Sequence, residues 1–509
     1  MSEARGGPAP GGHSARRAHA ASESHAVGDS HAVDQPLAHE PFDLVVIGAG
    51  LVGAAIARAF AAYDLRIALV EARADVGDGT SKANTAILHT GFDATPGTLE
   101  SALVRRGYRM LSEYARSAGI PIECTGAVLV AWDSDQLQAL PDLQAKAIAN
   151  GYLSTEIIPS AEVYRLVPCL GPGALGGLTV PDESVTCTWT VNLALATDAV
   201  QRGVCLLLDA LVEDVDVGPE VSTIATSRGS LRARWVVNAA GLGSDLIDRM
   251  LGFDRFTITP RKGELLVFDK LTRPMVPRIV LPVPTKVGKG VLVSPTVYGN
   301  VMVGPTAQEI EDRTDTSTSA EGLAFLMGKL LQLMPALAEE EITAAYAGLR
   351  AATQYSDYVI DVDPVRRYVL AGGIRSTGLT ACMAIAEHLC QMVKDTHGLR
   401  MAERSNLASA PRMPNLGEAF TRPYQDDERI AADPEYGRII CFCERVSAGE
   451  IRDALHSTIP ATTLSGLRRR TRAMNGRCQG FSCGAEVRAR LEAMGHSGAL
   501  EPAQTWVQP

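Results

Sequence analysis

One stretch near the start of the chain constrains its fold more than any other: FDLVVIGAGLVGAAIARAFAAYDLRIALVEA, residues 42–72. A short apolar run, a glycine-rich turn, a helix-period segment and a second apolar run read as strand, turn, helix and strand, a βαβ unit. Gly48, Gly50 and Gly53 hold the three glycine positions of a G-x-G-x-x-G turn. Gly48 permits the tight bend, Gly50 lets a pyrophosphate approach the backbone, and Gly53 lets helix and strand pack closely. The helix N-terminus offers N–H groups and positive partial charge to phosphate oxygens. Glu71 ends the second strand, where an acid accepts hydrogen bonds from ribose hydroxyls and disfavours a 2′-phosphate. Strand, helix and acid together make this a dinucleotide site, which a lone glycine motif would not establish.

A second signal lies at the other end. Cys441, Cys443, Cys478 and Cys483 read C-x-C and C-x4-C within IICFCERVSAGEI and LRRRTRAMNGRCQGFSC. Two close thiolate pairs suit an iron–sulfur cluster, and four thiolates also suit structural zinc. Zinc sites more often use C-x2-C pairs, so the spacing favours the cluster. The other six of the ten cysteines have no ligand spacing and read as small core residues.

At 509 residues the chain is too long for one core. Residues 1–41 read as a low-complexity disordered tail with histidines at 13, 19, 25 and 31, a pattern that leaves weak metal binding open. Residues 42–400 carry strand and helix patterns throughout, 401–437 are polar and proline-containing like a linker, and 438–500 form a small module that a metal centre would staple. The net charge of −10 gives no electrostatic basis for binding nucleic acid. No apolar run reaches the roughly 20 residues of a bilayer span, and the N-terminus lacks an apolar signal core. The expectation is a cytoplasmic chain, any membrane contact being peripheral at the inner face of the cell membrane through a partner.

Three segments resemble the D-amino-acid-oxidase-like flavoprotein superfamily: GDGTSKANTAILHTGFDA at 77–94, VVNAAG at 236–241 and GIRSTGLT at 373–380. The resemblance spans residues 42–400. It implies FAD, an α/β fold (α+β overall) with a Rossmann-like domain assembled from discontinuous pieces, and an inserted antiparallel-sheet substrate domain. It places Thr80, Ser81, Ala240, Gly241, Gly378 and Leu379 at the flavin beside the glycine turn. No second strand–GxGxxG–helix unit occurs, so a separate NAD(P)H site is not expected. The last module resembles the bacterioferritin-associated-ferredoxin-like [2Fe–2S] domain, a small helical module. A variant of it with GRCQG and a C-x4-C pair ends the FAD subunit of anaerobic glycerol-3-phosphate dehydrogenase. That family implies a companion electron-acceptor subunit or quinone-linked partner.

His89, in ILHTG, sits where the superfamily faces its flavin and is a candidate base for a substrate hydroxyl; a structural histidine is the alternative. Arg350 and Arg375 occupy positions resembling the superfamily's anion-binding arginines, whose forks match carboxylate or phosphate; for Arg350 an inter-domain ion pair is the alternative. Lys262 is a weaker candidate, for which capping a turn is the favoured alternative. Arg468, Arg469, Arg470, Arg472 and Arg477 read either as charge stabilising an anionic cluster or as a solvated basic face. The expected reaction is oxidation of a small anionic secondary alcohol. Glycerol 3-phosphate stands first, with electrons passing through FAD and the cluster to a partner. Two segments depart from the glycerol-3-phosphate family. HTGFDATPG lacks its arginine and aromatic, and GGIRSTGLT replaces its GGKLxTYR. HTGFDATPG with GIPIECTGAVLVA is similar instead to L-2-hydroxyglutarate oxidase. A 2-hydroxy acid is therefore the alternative substrate, and an opine or imino acid a further one.

Overall fold

The computed structural model describes residues 40–284, 290–418 and 420–497. The histidine-containing tail lies outside them. Strand β1 (Phe42–Ile47) leads through the glycine turn into helix α1 (Leu51–Phe60) and strand β2 (Ile67–Val70). β1 and β2 are parallel, with Val45 opposite Ala68. Strands Cys205–Leu207, Gly229–Asn238 and Tyr368–Gly372 extend the parallel sheet on both sides. Their buried runs match what a sheet covered on both faces requires. One face is covered by α1 and the helices Leu99–Ala118, Thr188–Gln201 and Gly378–Asp395, which share one apolar core with β1 and β2.

A second sheet of nine strands is built from chain inserted between the pieces of the first. Its long pair, Thr259–Phe268 and Ile342–Ala352, is antiparallel and brings Arg261 opposite Arg350. One pair departs from the antiparallel expectation: Ala127–Ala131 runs parallel to Ile279–Pro282. The helix Ala320–Leu333 packs on this sheet through Leu326 and Leu330, both fully buried.

The segment expected as a linker is bonded to the body at several points. Arg404 and Met413 donate their N–H groups to Ala62 and Ala118, and Glu418 donates to Val297. Arg422 is buried against Glu450 at 3.3 Å. A hairpin (Ile439–Cys441, Val446–Ser447) and helices Ala448–Leu455, Leu464–Thr471 and Gly484–Glu492 follow. Val446, Ile451, Leu467, Val487 and Leu491 form their fully buried core.

Among the described residues no helix is long and apolar enough to cross a membrane.

Candidate functional site

A cleft of about 2010 Å³ opens where the two sheets meet. Gly48 and Gly50 line it from the turn, Glu71 from the end of β2, Thr80 and Ser81 from the 3-10 turn Thr80–Lys82, Ala240 and Gly241 from the end of strand Gly229–Asn238, and Gly378 and Leu379 from the start of the last long helix. Five sequence segments thus converge on one wall, most of them brought there because the parallel strands end on the same side. Gly48 has φ +101°, and a Cβ there would lie 2.5 Å from the Ala239 carbonyl oxygen. Gly53 sits beneath the wall, where a Cβ would fall 1.8 Å from the Gly48 oxygen.

Glu71 accepts N–H bonds from Ala49 (2.8 Å) and Arg73 (3.1 Å). Burial pushes its carboxyl up to about 6, against the pull of those two N–H groups. Two bonds leave acceptor capacity on the carboxylate for ribose hydroxyls. The Ser81 hydroxyl takes the first helical N–H of α1, from Leu51, at 3.0 Å. A bare glycine turn, a helix N-terminus and an unsaturated carboxylate in one cleft fit the pyrophosphate and ribose of FAD.

His89 lies across the cleft, just past strand Ile87–Leu88. That strand pairs with Ser184–Thr186 in a register placing Leu88 opposite Ser184, so His89 meets Glu183. The distance from His89 Nδ1 to Glu183 Oε2 is 3.0 Å. Glu183 is fully buried, and its other oxygen accepts from the Thr90 N–H (2.7 Å) and hydroxyl (3.0 Å). A carboxylate can only accept, so Nδ1 carries a proton, and in the neutral ring Nε2 then holds the lone pair. Glu183 had no sequence signal: it is one of two adjacent acids, Asp182 and Glu183, at a turn, and only tertiary pairing brings it to His89.

Arg350 also lines the cleft. Its guanidinium has no hydrogen bond or ion pair among the described residues, and neither has that of Arg261 beside it. Burial, and secondarily the charge of Arg261, hold the Arg350 guanidinium down to about 10. The inter-domain ion pair that the sequence left open is thus not formed among the described residues. Arg375 borders the same cleft but is engaged, bonded to the Ser356 carbonyl and 3.6 Å from Glu100. Lys262 is paired with Asp315 at 2.8 Å.

In the C-terminal module Cys441 and Cys483 are buried and Cys443 and Cys478 half-buried. The thiols meet in two pairs, Cys443 with Cys478 and Cys441 with Cys483. The Ser482 N–H, countered by burial and helped by Cys443 and the Gly480 N–H, brings the Cys478 thiol down to about 7. Burial and Cys441 push Cys483 up to about 12. Among the described residues no three such donors converge on one point. Four cysteines gathered in this way fit the four thiolate ligands of a [2Fe–2S] cluster. Phe442 and Phe481 stand beside the pairs, 74% and 94% exposed.

Most of the arginine run is held in ion pairs and hydrogen bonds, while Arg468 and Arg477 also lie close enough to Cys483 and Cys443 to act on their charge. Arg469 and Arg470 pair with Asp75 (2.7 Å each), Arg472 with Glu444 (2.7 Å) and Arg477 with Asp269 (3.2 Å). Arg468 bonds Asn475. Four of these arginines reach partners in the flavoprotein body, Arg472 through Asn300 and Tyr298, so the helix face is an internal contact.

Fold and cleft define a flavin-dependent oxidoreductase carrying its own small cysteine-rich module. The chain belongs to the FAD dependent oxidoreductase family, which matches residues 43–392, and a BFD-like [2Fe-2S] binding domain matches residues 439–493. It is 34% identical to the glycerol 3-phosphate dehydrogenase of Caloramator mitchellensis, over 88% of this chain and 93% of that relative. It is 27% identical to one component of the anaerobic glycerol-3-phosphate dehydrogenase of Escherichia coli K12, over 88% of each. Among solved structures, FAD-bound L-alpha-glycerophosphate oxidase from Mycoplasma pneumoniae superposes with a TM-score of 0.69 at 26% identity, covering 74% of this chain and 99% of that one. The cofactors are accordingly FAD and a [2Fe–2S] cluster, and the chain is a glycerol-3-phosphate-dehydrogenase-like enzyme.

Proposed function

We propose that this chain oxidises the secondary hydroxyl of glycerol 3-phosphate, giving dihydroxyacetone phosphate, and hands the electrons to a partner protein or quinone-linked component. The observation that carries the substrate class is Arg350: a largely buried guanidinium without a counter-ion among the described residues, doubled by Arg261, in the cleft that also holds His89. An uncompensated buried cation beside a second one calls for a dianion such as a phosphate monoester. The 34% identical glycerol 3-phosphate dehydrogenase supports the particular alcohol.

His89 takes the hydroxyl proton at Nε2 while Glu183 holds Nδ1–H and offsets the charge that the ring gains. Arg350 orients the phosphate, with Arg261 and Arg375 completing the positive side of the cleft. When bound, FAD supplies the two-electron acceptor for the hydride and the cluster supplies one-electron carriage away from it. Gly48, Gly50, Gly53, Glu71, Thr80, Ser81, Ala240, Gly241, Gly378 and Leu379 would hold the dinucleotide, and Cys441, Cys443, Cys478 and Cys483 the cluster. Phe442 and Phe481 offer a partner apolar contact beside the cysteines.

Anaerobic mixing with glycerol 3-phosphate should bleach the flavin rapidly. A second reading, oxidation of a 2-hydroxy acid, is favoured by the HTGFDATPG segment and by 26% identity to the Arabidopsis thaliana L-2-hydroxyglutarate dehydrogenase. Fast bleaching by L-2-hydroxyglutarate, with none by glycerol 3-phosphate, would establish that reading instead. Bleaching by an imino acid alone would overturn both.

A further inference from the structure

Residues 73–82 run from the end of β2 to the 3-10 turn and form one lip of the cleft. Inward, the lip is tied to the glycine turn. Gly77 N–H donates to the Ala49 carbonyl (3.0 Å), and Ser81 accepts from Leu51. Outward, it meets the C-terminal module. Both oxygens of buried Asp75 accept from the Arg470 fork at 2.7 Å, and one also accepts from Arg469 at 2.7 Å. Arg469 continues to Asp78 (2.6 Å), which holds Lys82 at 2.9 Å. A second grip reaches the same lip. Arg472, bonded to Glu444 next to Cys443, lies 4.0 Å over the Tyr298 ring. Tyr298 stacks on Trp189, whose indole N–H donates to the Lys82 carbonyl at 2.9 Å.

We propose that the cysteine-bearing module is a working wall of the flavin site. In this arrangement Arg469 and Arg470 fix the 73–82 lip against the glycine turn, so that FAD binding and seating of the module are thermodynamically linked. The proposal rests on the reading that the glycine turn and residues 80–81 hold FAD. Its physical basis is the cost of opening. Swinging the module away leaves the Asp75 carboxylate without the two guanidiniums that justify its burial, so the lip must move with it. Whatever stabilises one closed half then stabilises the other by the same factor.

The test titrates FAD into the full-length chain after flavin removal, comparing wild type with Arg470→Met, Asp75→Asn and Arg488→Ala. Arg488 is an exposed arginine of the same module with no partner among the described residues. The expected result is FAD affinity weakened ten-fold or more in the first two and unchanged in the third. The double variant should be no weaker than the worse single one. In a separate readout, trypsin cutting at exposed Arg412 between body and module should slow when FAD is added to wild type and not when added to Arg470→Met. Arg470→Lys keeps the charge without the fork. Should Arg470→Met fail to fold, Arg470→Lys carries the same comparison, with a smaller loss expected. Wild-type FAD affinity in the folded variants, or wild-type cleavage indifferent to FAD, overturns the linkage. Gly48→Val tests the flavin site separately: if it binds FAD normally, that reading falls whatever the arginine variants do.

Discussion

Glu183→Gln removes one charge from behind His89 and changes almost no volume. In the proposed reaction the imidazole becomes cationic as it takes the hydroxyl proton, with the fully buried Glu183 carboxylate 3.0 Å from Nδ1. Two unit charges about 4 Å apart attract by about 4 kcal/mol at an effective dielectric of 20. The glutamine has one oxygen where the carboxylate uses two, so it can accept from Nδ1–H or from the Thr90 N–H but not from both. A transition-state loss of about 2–4 kcal/mol corresponds to a fall of about 30- to 1000-fold in the reductive rate. Glu183 lines no part of the cleft, so KM should stay within about three-fold while kcat carries the loss. Stopped-flow flavin bleaching with glycerol 3-phosphate measures this, and substrate deuterated at the carbinol carbon should show an isotope effect at least as large as in wild type. A rate within three-fold of wild type, or a change confined to KM, would refute a base supported by this carboxylate.

Arg350→Gln should raise KM for a phosphate-bearing substrate about 100-fold, the equivalent of roughly 2–3 kcal/mol for a lost charge-assisted fork, with a smaller effect on kcat; steady-state kinetics decides it. Cys478→Ser should abolish the visible cluster spectrum and turnover with the natural acceptor, while flavin bleaching by substrate continues; unimpaired turnover without iron would remove the cluster from the electron route. FAD affinity should weaken as pH falls through about 6, because protonation of Glu71 removes acceptor capacity for the ribose; equilibrium titration at pH 5 and 8 reads it. Asp75 behaves oppositely to Glu71. Burial raises its carboxyl, but Arg470 and Arg469 outweigh that and hold it below its usual 3.8. The stability it contributes is therefore complete above about pH 4 and is lost as pH falls through the depressed value; acid unfolding of Asp75→Asn should lack that component.

What could be read from the sequence was local. The βαβ unit declares itself because strand, glycine turn, helix and acid lie within about thirty residues of one another, and Gly53 answers a contact made by its near neighbour Gly48. The cysteine spacing is local in the same sense within each pair. The proposed catalytic support and anion site were only half legible. His89 and Arg350 stand in recognisable segments, but Glu183 and Arg261 become partners through strand registers that join positions far apart in the chain, Leu88 with Ser184 and Arg261 with Arg350. The alternation within one strand says which face a side chain takes, but not which distant strand will lie beside it.

The arginine run shows how burial changes the meaning of charge. In the sequence, Arg468, Arg469, Arg470 and Arg472 next to a cluster motif invite a reading in terms of the cluster or of water. Arg469 and Arg470 instead lie buried against Asp75, from the other end of the chain. Their burial is tolerable only because Asp75 and Asp78 are placed to receive them. A mutual requirement of this kind is invisible in either segment alone. It makes the 73–82 segment answer to two demands at once, shaping a dinucleotide site on one face and seating a cysteine-rich module on the other. Relatives that lack the module are free of the second demand. Acids at positions 75 and 78 should therefore accompany buried arginines in the module, and a chain carrying one set without the other would leave uncompensated charge in its interior.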